Sequence, residues 1–182
     1  MCNHRLCNSN PGIKGVGVVF LTRYKKNGIN IPYATILGQE RGGIYKGEFN
    51  LPGGKVEPED SHCLYKAIIR EVRQEIKIDL KPDWTFFNKI FKKHDNTTRH
   101  FILKNTMIFV GILPRGISRR TLNAKIQRCN NNNSLPWSER EMAQVEWFNA
   151  ETMRQIENNR SVPSSYALTA VPRALQLLKL EL

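Results

Sequence analysis

The chain has 182 residues, 40% of them hydrophobic and 24% charged, an ordinary globular mix whose length suits one domain with a buried core. It carries 28 Lys and Arg against 16 Asp and Glu, a net charge of +12, so a basic surface awaits polyanions: nucleic acid, phosphorylated small molecules or an anionic face. No stretch is apolar and long enough to span a bilayer, Met1 to Pro11 lack a secretory segment, and Cys2, Cys7, Cys63 and Cys129 make no dense disulfide framework; the chain reads as soluble and cytoplasmic, with no membrane partner.

Residues 1–12 are expected to form a flexible N-terminus ahead of a single domain over 13–182. Gly15 to Thr22 is apolar and β-branched and predicts a buried strand. Lys25 to Asn30, with Asn27-Gly28, predicts a hairpin turn, and Tyr33 to Gly38 the returning strand. Gln39 to Gly47 is a Gly-rich loop with Arg41 and Lys46; Glu48 to Leu51 then leads into the sharp turn Pro52-Gly53-Gly54. Cys63 to Lys77 is the strongest helix, with Leu64, Ala67, Ile68, Val72 and Ile76 on one face and Ser61 as N-cap. Trp84 to Phe91, His100 to Leu103, Thr106 to Leu113 and Ala143 to Phe148 read as strands, with Pro114 stopping the third. Arg115 to Pro136 breaks periodicity and reads as a long basic loop. A helix from about Ser165 to Leu180 closes the chain, with Pro172 as a candidate kink. The order favours a mixed α/β or α+β sandwich over a doubly wound parallel sheet.

The informative stretch is Gly53 to Ile78, a glycine turn and an acidic loop followed by a helix carrying Arg70, Glu71, Gln74 and Glu75. Residues three and four apart share a helix face, so Glu71, Gln74 and Glu75 point one way, with Glu57 and Asp60 on the loop before them. Converging oxygens suit a hard cation, and clustered carboxylates raise one another's pKa unless a cation neutralises them. A solvated face of mixed charge, with Arg70, Arg73 and Lys77, is the plainer alternative on the helix alone.

The glycine turn in front favours the first reading. Gly53 to Ile78 resembles the Nudix box, G-x5-E-x7-R-E-U-x-E-E-x-G-U with U a bulky apolar residue. Pro52 to Glu57 looks like its opening, Arg70-Glu71-Val72-Arg73 its R-E-U-x, Glu75 its last glutamate and Ile78 its final U. The likeness spans about residues 13–150, with Glu141 to Phe148 similar to the family's late strand. It implies a Nudix-like α/β/α sandwich with a mixed sheet and one central catalytic helix. It also implies Mg²⁺ (or Mn²⁺) held by Glu71, Gln74, Glu75 and the Gly53 carbonyl, with Arg70 orienting the cluster through Glu57. Glu141 would be an extra catalytic carboxylate, and Arg41 and Lys55 would steady substrate phosphates. The chain departs from the box in four places. Two extra residues precede Arg70, the first glutamate is Asp60 or His62, the first of the later glutamate pair is Gln74, and the late glycine is Lys77. Gln74 marks either altered catalysis or an introduced Glu→Gln change.

The resemblance implies a pyrophosphohydrolase of nucleoside diphosphate-linked substrates. Lys89, Lys92, Lys93, His94, Arg99 and Lys104 near Trp84, Phe86 and Phe87, with the basic segment Arg115 to Arg128, also suit a capped RNA, as in decapping members of the family. A weakly active or non-catalytic nucleotide- or RNA-binding module is the third reading, motivated by Gln74 and Lys77.

Overall fold

Apolar alternation and β-branched residues draw seven strands into one mixed sheet. In this computed structural model, residues 12–26, 29–80, 89–91, 98–113, 117–149, 152–153 and 165–179 are described. The strands are β1 (Gly15–Lys26), β2 (Ile29–Glu40), β3 (Phe49–Asn50), β4 (Gly53–Lys55), β5 (His100–Leu103), β6 (Thr106–Ile112) and β7 (Met142–Phe148). Their order is β3-β2-β1-β6-β5, with β4 paired to β1 and β7 to β2. β1 runs antiparallel to β2 and β4 but parallel to β6, which makes the sheet mixed.

Two helices, α1 (Leu64–Ile76) and α2 (Arg119–Asn130), cover one face, and α3 (Ser165–Lys179) covers the other. Alternation along β1 divides the core between them. Val16, Val18 and Phe20 join Ile68, Val72, Leu122 and Ile126, whereas Val19 and Leu21 join Ala170, Ala174 and Leu178. The expected α/β/α sandwich is the observed one. α3 continues through Pro172. No described helix is long and apolar enough to cross a membrane.

Three local expectations are corrected. The segment read as a basic loop contains α2, capped by Ser118, whose side chain accepts from Thr121 N. Its inward face carries only Leu122 and Ile126 as apolar residues; the rest of that face is amide. The Asn123 side chain both accepts from Val145 N (2.7 Å) and donates to Val145 O (3.1 Å), Gln127 donates to Ala143 O (3.0 Å), and Asn130 donates to Met142 O (3.0 Å). These amides close the outer edge of β7, which among the described strands pairs only with β2. A helix held by amides has little apolar periodicity, hence the loop reading. The second correction concerns the N-cap of α1, which is Cys63, not Ser61. Cys63 is also disulfide-bonded, while Cys129 is free. Third, residues 89–91 of the expected Trp84–Phe91 strand are helical, with Ile90 and Phe91 in the core. The rest of that segment lies outside the described residues, as do turn residues 27 and 28.

Candidate active site

The site begins where β4 meets β1 with no room for side chains. Gly17 opposes Gly53 in the register, and a Cβ at Gly53 would run into the carbonyl oxygen of Val16. A Cβ at Gly54 would collide with the carboxylate of Glu71, so Gly53 lets β4 close on β1 and Gly54 lets α1 lie against the bend. Glu71 and Glu75, one turn apart on α1, are both buried beneath it. A Glu75 oxygen accepts the Gly53 N–H at 2.7 Å.

Arg70 organises the other side of the cluster. Its Nε and Nη2 donate to the two oxygens of Asp60 at 3.1 and 2.7 Å, a bidentate pair. Nη1 donates to Glu71 (2.8 Å) and to the Gln74 amide oxygen (3.3 Å), and Nη2 also reaches the Lys55 carbonyl (2.9 Å). These contacts, Asp60 foremost, hold the guanidinium firmly protonated. Asp60, not Glu57, is therefore the partner through which Arg70 is oriented; Glu57 offers its backbone N–H to Asp60 (2.9 Å). The two extra residues of the sequence are accommodated here. Asp60 ends a single 3₁₀ turn (Pro58–Asp60), and Ser61 and His62 follow with φ of 54° and 56°, folding the chain back so that Asp60 still faces Arg70. Asp60, rather than His62, thus stands where the box has its first glutamate.

Lys77 takes the place of the late glycine and keeps the glycine's backbone, with φ 59° and ψ 26° at the end of α1. A side chain in that conformation is strained by about 1 kcal/mol. In return its Nζ donates to the Glu139 carboxylate (2.9 Å), the Glu139 carbonyl (2.7 Å) and the Gln74 carbonyl. That ties α1 to the 3₁₀ turn Trp137–Glu139, two residues ahead of Glu141.

Four carboxylates feel one another across this site. Burial pushes Glu75 well above the usual carboxylate range, and Glu71, Glu40 and Glu141 add to the shift against the pull of Gly53 N–H. Burial also raises Glu71, which Arg70 partly offsets, and Glu141, which Arg70 and Lys77 partly offset. Glu40 is raised by burial and then by Glu141, with a hydrogen bond to Asn50 acting the other way. Sequence reading missed Glu40, and its only signal was its position at the end of β2, before the glycine loop. The donor set is hard, anionic and short of positive charge, which fits a divalent cation. Among the described residues, no three acidic, His or Cys side chains are already gathered at ligating positions.

Of the remaining predicted residues, Arg41 and Lys55 adjoin this centre. Arg41 donates its backbone N–H to the Glu141 carbonyl (2.7 Å), while its guanidinium reaches Asn130 (3.4 Å) and lies over the Trp137 ring at 5.9 Å. The exposed Lys55 borders a cavity of about 630 Å³ with Gly53 and Gly54, Lys14, Lys104, Tyr45, Asn50 and Tyr166. Of the basic residues expected near the aromatics, Arg99 is buried against Ile90, and Lys104 lines the cavity. Lys92, Lys93, His94, Trp84, Phe86 and Phe87 lie outside the described residues.

The family described as NUDIX domain matches residues 13–168. No curated protein matches. Among solved structures, the NUDIX domain of Shewanella oneidensis NrtR complexed with ADP ribose superposes with a TM-score of 0.52 at 13% identity, covering 97% of this chain and 94% of that one. Shewanella oneidensis NrtR gives 0.50 at 14% identity, over 91% of this chain and 63% of that one. A NUDIX hydrolase from Nitrosomonas europaea gives 0.46 at 16% identity, over 91% and 90%.

Proposed function

Because the chain belongs to the NUDIX family, we propose that it is a Mg²⁺- or Mn²⁺-dependent pyrophosphohydrolase that cleaves the diphosphate linkage of a nucleoside diphosphate-linked substrate. One observation carries the reading: two buried glutamates one helical turn apart, packed on a glycine bend and faced by Glu40 and Glu141. Glu71, Glu75, the Gln74 amide oxygen and the Gly53 carbonyl would hold the ion. Bound there, it supplies Lewis-acid polarisation of phosphate oxygens and acidifies water. Arg70, locked by Asp60, keeps Glu71 and Gln74 aimed at the bend. Glu141, whose proton affinity burial raises, would take the proton of an attacking water as the P–O anhydride bond breaks toward the leaving phosphate. Lys14, Lys55 and Lys104 border the cavity and would pair with phosphate oxygens, Arg41 would approach them from the loop, and Tyr45 and Tyr166 would flank a base. The ADP ribose bound by the NrtR domain belongs to the same substrate class.

The test is a panel of nucleoside triphosphates, ADP-ribose, dinucleotides, diphosphoinositol phosphates and capped RNA, with and without Mg²⁺ or Mn²⁺. Metal-dependent release of a nucleoside monophosphate is expected; release of a capped nucleoside diphosphate instead would favour the decapping alternative. No turnover of any member overturns the proposal. Gln74, Lys77 and the altered spacing favour a second reading, a binding module without turnover. Gln74→Glu separates the two: a gain in metal-dependent hydrolysis supports the enzyme, and ligand binding without hydrolysis supports the module.

A further inference from the structure

The outer face of α2 is positive, unpaired and rigidly presented. Arg120, Lys125 and Arg128 are exposed, and none is in an ion pair among the described residues; Arg119 is excluded because it pairs with Glu146 at 2.5 Å. The amide contacts to β7 hold the helix on the sheet, so this face stays turned toward solvent. The face is also linked to the carboxylate centre. Arg41 joins the Glu141 backbone to Asn130 at the end of α2, and its guanidinium lies over Trp137, a residue 49% exposed. Arg140, beside them, donates Nη1 to Asn133 (3.2 Å), and its buried Nε has no partner among the described residues.

We propose that this surface, from α2 across Arg140 to Trp137, docks the body of a single-stranded nucleic acid whose 5′ end enters the carboxylate site. The inference rests on the hydrolase reading for what happens at that end, but not for binding. Phosphates complement the unpaired cations, and the exposed indole offers a plate on which a base stacks. A membrane would require apolar residues among the cations, yet the outer face of α2 offers only Thr121 and Ala124 between them. An acidic peptide would leave the indole without a stacking partner.

The experiment measures anisotropy of a labelled 5′-monophosphorylated RNA of about 20 nucleotides across a salt series. The wild type is compared with Arg120→Ala/Lys125→Ala/Arg128→Ala and with Trp137→Ala. The same proteins are tested with single-stranded DNA, polyglutamate and anionic vesicles. Their melting temperatures and hydrolysis of the best small diphosphate from the panel are measured in parallel. For the triple variant the expected results are at least a tenfold loss of RNA affinity, a salt slope shallower by about 2, and unchanged melting and small-substrate hydrolysis. Trp137→Ala weakens RNA binding with the slope retained. Equal RNA binding by wild type and triple variant, no RNA binding at low salt, or polyglutamate or vesicles binding as tightly as RNA overturns the proposal. Preference for DNA over RNA keeps the surface and changes the sugar. RNA binding without hydrolysis of any diphosphate sinks the enzymatic reading alone; hydrolysis without RNA binding sinks this one alone.

Discussion

α1 and α2 pack into the same layer on one face of the sheet and treat their charges in opposite ways. α1 turns Glu71 and Glu75 inward, where burial and mutual repulsion oppose ionisation, and it spends Arg70 and Lys77 on holding neighbouring groups in place. α2 turns its amides inward and leaves Arg120, Lys125 and Arg128 in solvent. Exposed cations of this kind cost folding little and act at long range, in encounter. Buried carboxylates weaken the fold and act at contact, in chemistry. The contrast teaches that charge count says less than where the protein tolerates unfavourable placement.

The largest expected effect breaks the α1 side. Glu71→Gln or Glu75→Gln should lower kcat/KM by about 10² to 10³-fold or more, the scale of removing one essential electrostatic group. Melting in metal-free buffer should stay level or rise, because a buried like-charge repulsion is relieved. A drop in both activity and melting temperature would mean these glutamates are structural. Next, Asp60→Asn leaves Arg70 without its buried partner and should cost about 3 kcal/mol in urea unfolding. A cost below about 1 kcal/mol would show that Arg70 is not organised by Asp60.

A smaller effect follows from proton linkage. The folded-state pKa values of Glu71, Glu75, Glu40 and Glu141 are raised above 4.5. Between 4.5 and those raised values the native state holds more protons than the unfolded chain, so metal-free stability should fall as pH climbs through that window and level off above it. Added Mg²⁺ should therefore raise the melting temperature more at pH 8 than at pH 5; equal increments would argue against a carboxylate site for the ion. The smallest effect concerns Lys77. Lys77→Ala keeps the left-handed strain and loses the Glu139 contacts, costing about 1 to 2 kcal/mol, whereas Lys77→Gly loses the contacts but relieves the strain and should fall within about 0.5 kcal/mol of wild type. Identical effects of the two substitutions would show that strain is absent.

Legibility differed with the kind of interaction. β1, β6 and α1 were readable because their packing is apolar and local periodicity reports it. α2 was not, since its inward residues are amides whose partners, Met142, Ala143 and Val145, lie 12 to 22 residues further along. At the site, Glu71 and Glu75 were readable from a helix and a glycine turn. The partner of Arg70 was misassigned to Glu57, because the left-handed Ser61 and His62 that return Asp60 to Arg70 leave no trace in spacing. Glu40 went unseen because its membership of the cluster depends on β2 ending opposite β7.

The sequence by itself determined the family, the acidic turn-and-helix and the excess of positive charge, since these follow from local spacing and composition. Only the tertiary structure decided which carboxylates share one electrostatic field, which arginine serves which acid and which cations remain unpaired. Those properties depend on distances between strands and helices that are remote in the chain, and Coulomb and hydrogen-bond energies fall off with that distance rather than with position in sequence.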